Sequence, residues 1–147
     1  MILVAGGTGQ LGTMLVRRLT DQHLPVRVLT RHPARARHLA SPLVEVVQGD
    51  VRNARSLAEA VVGVNTVVSA VHGFTGKNDV SPQSVDRDGN IHLVDAASHV
   101  GAAFVLVSIV EAASDSPIDL FRAKYDAEQY VRQSGLRFVR ATAFIET

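Results

Sequence analysis

Cysteine is absent from this chain of 147 residues. Disulfides, thiolate catalysis and zinc–thiolate sites are therefore excluded, and an intracellular location is compatible with that composition. An excess of one charge is lacking too. Fifteen Lys and Arg against 14 Asp and Glu leave a formal net charge of +1, which argues against a nucleic-acid binder that works by phosphate neutralisation. No apolar run reaches the roughly 20 residues that a membrane-spanning helix needs. Residues 1–5 carry no basic leader and run straight into glycine, so they make a poor signal peptide. Internal repeats and low-complexity tracts are also missing. The expectation is one cytoplasmic globular domain, long enough to bury roughly 68% of the surface its unfolded chain exposes.

What the chain does contain is regular alternation. Short apolar runs at residues 1–5, 26–30, 43–47, 65–69, 103–108 and 136–140 read as strands. Helical patterns separate them. In the first, Leu11, Met14, Leu15 and Leu19 recur at helical spacing and Val16 widens the apolar face. Residues 33–40 and 56–61 predict two short helices, with Pro33 in a first turn that tolerates it. Longer helices are predicted over residues 84–99, with Gly89, Leu93, Ala96 and Val100 along one side, and over residues 118–134. This order predicts an α/β fold of Rossmann type, a doubly wound parallel sheet with strand order 3-2-1-4-5-6. Residues 70–82 form a long loop in which His72 and Asn78 are candidate ligand contacts. Residues 141–147 begin an element they do not finish. The chain is accordingly read as one domain, 1–147, without a C-terminal substrate-binding part.

The most informative stretch is Gly6-Gly7-Thr8-Gly9-Gln10-Leu11-Gly12, lying between the first strand and the first helix. A glycine-rich turn in that position lets the backbone approach a pyrophosphate, and the helix N-terminus behind it adds free N–H groups and positive potential. Gly6, Gly9 and Gly12 stand three apart, which departs from G-x-G-x-x-G spacing. Strand before and helix after are what give the glycines their meaning. Thr8 and Gln10 either shape the turn or, with Leu11, cover the pyrophosphate.

With these motifs the chain resembles the short-chain dehydrogenase/reductase superfamily, and within it the atypical NmrA-like and complex-I-accessory-subunit-like NAD(P)-binding proteins. The resemblance spans essentially the whole chain. It is carried by residues 4–12, by Val26-Arg27-Val28-Leu29-Thr30-Arg31 with Pro33, by Gly49-Asp50, by Val85-Asp86 with Gly89, and by Ser134-Gly135-Leu136. It implies that the glycine triplet holds the pyrophosphate and that residues after the second strand hold the adenosine ribose. It further implies a cofactor role for Asp50, at the adenine, with Val51 beside it, places Ala70 near the nicotinamide side, and brings Ser108 to where relatives approach the nicotinamide.

NAD-selective sites put an acid about 20 residues after the glycine turn, bonded to the ribose 2′-hydroxyl. Here that place reads Thr30-Arg31-His32. Thr30 does not repel a 2′-phosphate and Arg31 offers it a charged planar fork, so NADP(H) is favoured, with NAD(H) the alternative. Arg27, Arg31, Arg35, Arg37, His32 and His38 crowd the same segment, although Arg35 and Arg37 also fit a solvated helix face. Typical members of the superfamily pair a tyrosine acid with a lysine four positions later. Lys124 occupies the lysine position, Leu120 stands where the tyrosine belongs, and Tyr125 is turned about 100° away. Lys124 and Ser108 remain the candidate catalytic residues, and Lys124 is also a candidate cofactor contact, placed to hold the ribose or an incoming substrate. Their plainer readings are a surface pair between Lys124 and Glu128, and a strand-end serine bonded to local backbone. His92 and Asp95 lack a third ligand at a metal-binding spacing, so no metal is expected, and Asp86 and Asp88 are read as first-turn charges of their helix. The expected activity is hydride transfer from NADPH to a quinone, flavin or small carbonyl acceptor. The alternative is a non-catalytic sensor, regulatory or accessory subunit, with a protein partner or a second copy as companion.

Overall fold

The computed structural model describes residues 1–73, 77 and 79–143. Asn78 and residues 144–147 lie outside that set. Among the described residues, β1 (Ile2–Ala5), β2 (Val26–Thr30), β3 (Val44–Gln48), β4 (Thr66–Ser69), β5 (Ala103–Ile109) and β6 (Phe138–Ala143) form one sheet. Its order is β3-β2-β1-β4-β5-β6 with every pair parallel, as the alternation predicts. Central strands are nearly continuous apolar runs because both their faces are covered. The edge strand β3 carries Glu45 and Gln48 and stays half-exposed.

Two apolar clusters sandwich the sheet. On one face Val16 of α1 (Gln10–Asp21) and Leu39 of a 3-10 helix (Pro33–Leu39) pack on Val4, Val26, Val28 and Val68. On the other, α2 (Ala54–Ala60), α3 (Asp88–Val100) and α4 (Asp119–Gln133) bring Leu57, Leu93, Val94, Ala97, Ala127 and Val131 onto Leu3, Ala5, Val67, Phe104 and Leu106. A π-helical turn (Pro82–Arg87), opened by a reciprocal Ser81–Ser84 capping box, leads into α3.

Helix α1 keeps part of the face its spacing predicts, since Leu15, Val16 and Leu19 pack against the sheet's cluster. Gly12 and Val16 face the sheet, whereas Leu11 and Met14 are 46% and 62% exposed. A Cβ on Gly12 would stand 2.0 Å from the Gly6 carbonyl oxygen. The helix therefore rests on its glycine side, closer than any side chain allows. Strand β6 begins two residues later than its pattern suggests and extends to Ala143. Arg27 also departs from expectation, because it leaves the basic cluster: its guanidinium donates to Ala60 O at 2.6 Å and Val62 O at 2.7 Å, beside the C-terminus of α2.

Candidate functional site

A cavity of about 180 Å³ opens where β1, β2, β3 and β4 end. That is the point where strand order reverses, between β1 and β4, and a doubly wound sheet leaves its crevice there. Gly6, Thr8 and Gly9 supply one wall, Thr30, Arg31, His32 and Arg35 a second, Asp50, Val51 and Arg52 a third, and Ala70, Val71 and His72 a fourth.

The three spaced glycines divide three tasks. Gly6 takes φ +82°, and a Cβ there would also lie 2.5 Å from the Ala70 carbonyl oxygen, so the turn requires glycine on both counts. Gly9 has only the Gly6 oxygen near its would-be Cβ, at 3.4 Å; its open side is the cavity. Gly12 sets the contact of helix and turn. Helix α1 has Gly9 as its N-cap, with no side-chain cap and no acidic residue in its first turn. The first intrahelical bond runs from Thr13 N to Gly9 O, so the amides of Gln10, Leu11 and Gly12 belong to the group that a helix N-terminus leaves for an outside acceptor. None of these three residues is among those that line the cavity.

At the end of β2, the Thr30 hydroxyl accepts from His32 N at 3.1 Å and is 7% exposed. This local turn presents Arg31 and His32 to the cavity, and the 3-10 helix adds Arg35. Gln48 Nε2 donates to the Arg31 backbone oxygen at 3.4 Å, and among the described residues no hydrogen bond or ion pair engages the Arg31 guanidinium. Arg37 lies outside the lining. Thr13 ties the two segments together, donating to Gly7 O at 3.2 Å and lying 3.2 Å from His38 Nε2.

Asp50 is held by Arg52, a residue the sequence reading does not single out. The guanidinium donates Nε to both carboxylate oxygens at 3.1 Å and a terminal nitrogen to Oδ2 at 2.7 Å, and Arg52 N donates to Oδ1 at 2.9 Å. The Arg52 side-chain hydrogen bonds, opposed by burial and assisted by the Arg52 amide and the charge of Arg31, hold the Asp50 carboxyl below its ordinary value. Behind this loop His92 Nδ1 meets Val51 O at 2.6 Å, and Asp95 accepts from the Tyr130 hydroxyl at 2.6 Å.

The two candidate catalytic residues stand outside the cavity lining. Lys124 is buried on α4, donating to Val71 O at 2.9 Å and Val107 O at 3.3 Å with Asp86 Oδ1 3.0 Å away. The expected surface pair with Glu128 is therefore not formed. Asp86 is fully buried rather than a solvated first-turn charge, because it is the counter-ion of Lys124. Ser108 is 1% exposed and donates to Glu128 Oε1 at 2.5 Å, while Arg140 holds Oε2 at 2.9 Å. Leu120 is 3% exposed, in the core.

A six-stranded parallel sheet with a glycine turn, an open helix N-terminus and a basic wall at its switch point is a dinucleotide-binding domain of Rossmann type. The chain belongs to the NAD(P)H-binding family, whose model matches residues 6–143. It is 34% identical, over 99% of its length, to the NAD(P)H azoreductase of Xenophilus azovorans, and it spans 49% of that protein. To the photosystem II assembly factor Ycf39 of Cyanophora paradoxa it is 30% identical, over 93% of the chain and 43% of the relative. The structure of an NADPH-dependent quinone oxidoreductase from Escherichia coli complexed with NADPH superposes with a TM-score of 0.76 at 25% identity, covering 95% of this chain and 47% of that one. The chain thus spans about half or less of these relatives. Among the described residues no helix is long and apolar enough to cross a membrane.

Proposed function

We propose that this domain binds NADP(H) in preference to NAD(H) and serves a reductase that passes hydride to a quinone, flavin or small carbonyl acceptor. The observation that carries the cofactor preference is the wall after β2, where Arg31, His32 and Arg35 line the cavity and no acid follows the strand. In this reading Gly6, Thr8 and Gly9, with the amides of Gln10, Leu11 and Gly12, hold the pyrophosphate. Thr30 shapes the turn that aims Arg31 at the 2′-phosphate, Asp50 and Val51 border the adenine, and Ala70 flanks the nicotinamide half.

Burial of Leu120 and Lys124 supports the choice of acceptor. That helix offers no solvent-facing tyrosine and lysine pair, and quinones and flavins accept hydride without a closely positioned acid. The similarity to an azoreductase and to an NADPH-dependent quinone oxidoreductase points the same way. A cytoplasmic location belongs to the proposal and is checked by cell fractionation.

Titration of nicotinamide fluorescence tests the cofactor preference. NADPH is expected to bind at least about tenfold more tightly than NADH, or about 1.4 kcal/mol, and Arg31→Ala to remove most of that difference. Tighter binding of NADH would overturn it. Steady oxidation of NADPH across a panel of quinones and flavins tests the reaction. Binding without any turnover would favour the second reading, a non-catalytic regulatory or accessory role, which the assembly-factor relative and the sealed hydroxyl of Ser108 support.

A further inference from the structure

Lys124 occupies the position that the superfamily resemblance assigns to cofactor chemistry, yet its ammonium points elsewhere. Its side chain is 6% exposed and the carboxylate of Asp86 is fully enclosed. Lys124 Nζ donates to the carbonyl of Val71, just past β4, and to that of Val107 in β5. The approach to Asp86 Oδ1 is an ion pair without an aligned hydrogen bond. The other oxygen, Oδ2, accepts from Gly73 N at 2.7 Å.

The pair thus grips the chain at 71 and at 73, with His72 between them facing the cavity. Gly73 is further confined, since a Cβ there would fall 2.3 Å from Ser81 O. The backbone oxygen of Asp86 accepts from Asn90 Nδ2 at 2.6 Å, and Asn90 Oδ1 accepts from Ser69 Oγ at 2.5 Å. One buried network therefore fixes the strand end and the wall beyond it at positions 69, 71 and 73.

A buried ion pair is weak evidence for stability, because apolar residues of similar volume often serve as well. What apolar residues lack is direction. An ammonium with three oxygen neighbours and a carboxylate holding an amide specify where each backbone group sits. We propose that Lys124 and Asp86 are positioning residues that hold residues 70–72 in register with the nicotinamide half of the cofactor, without Lys124 touching it. The proposal rests on the dinucleotide reading of the cavity.

The test uses the full chain and four proteins: wild type, Lys124→Met, Asp86→Asn and the double variant, each checked for native circular dichroism. The double variant leaves no unpaired buried charge, so it and Asp86→Asn carry the test if Lys124→Met fails to fold. Two ligands are titrated: NADPH, and adenosine 2′,5′-bisphosphate, which has the adenine and 2′-phosphate but no nicotinamide. NADPH is expected to bind about tenfold more weakly to each variant, with the double no worse than either single, since both changes break one device. Adenosine 2′,5′-bisphosphate is expected to bind within about twofold of wild type throughout. Equal losses for both ligands would reduce the pair to general scaffolding and overturn the proposal. So would additive losses, or normal NADPH binding by Asp86→Asn beside lost binding by a folded Lys124→Met, which would mean that the lysine contacts the cofactor. A wild-type protein that binds neither ligand overturns the dinucleotide reading itself, and is recognised before any variant is made.

Discussion

Arg52 shows what the wall after β3 does with its own charge. Asp50 and Arg52 lie two apart, a spacing at which a turn lets a guanidinium fold back on the carboxylate, and the resulting fork engages both carboxylate oxygens. The Asp-x-Arg pattern was present in the sequence, but only the turn closes it. Because the pair holds the Asp50 carboxyl below its ordinary value of 3.8, its contribution to stability is complete above that pH and is lost as acidification passes the lowered value. The melting temperature of Asp50→Asn should therefore fall below that of wild type at neutral pH. The gap should close in acid, below pH 3.8. A gap that persists unchanged in strong acid would contradict the assignment. Arg31 and Thr30 were legible for a different reason: the strand end fixes which residues follow β2, so an absent acid is visible without coordinates.

At the scale of elements, α1 separates two uses of glycine that the triplet spacing alone cannot. Gly12→Ala would press a methyl group 2.0 Å from the Gly6 oxygen, backbone against backbone, and should cost about 1–3 kcal/mol or more as overpacking. Gly9→Ala meets only the Gly6 oxygen, at 3.4 Å, with an ordinary φ of −75°. It is expected to keep its melting temperature within a few degrees while NADPH affinity drops, because the added methyl occupies the ligand's side of the turn. Thermal melts and fluorescence titrations of both variants separate the two roles. Strands were read closely from their apolar runs. The face of α1 was read only in part: Leu15, Val16 and Leu19 pack as their spacing suggests, but periodicity counts side chains and so misses the close contact made by Gly12. Likewise Asp86, Asn90 and Glu128 are polar residues on helical segments, and nothing local marks them as buried. Their partners on β4, β5, β6 and α4 are brought to them only by the tertiary fold.

For the whole molecule, the parallel sheet dictates how the site comes into being. β1 lies between β2 and β4, pairing Ile2 with Val26 on one side and with Thr66 on the other. The four cavity walls come from strand ends scattered along the first half of the chain. A parallel pairing of such distant segments closes slowly, because loop entropy is lost before the contacts compensate. Until β4 docks against β1, the fourth wall is missing. Cofactor can therefore recognise only chains that have already passed the folding barrier. Refolding rates in stopped-flow should be indifferent to NADPH, whereas unfolding should slow as occupancy rises, by up to about 100-fold when free cofactor stands at about 100 times its dissociation constant. The dinucleotide would then act as a latch on a finished protein and not as a template for an unfinished one.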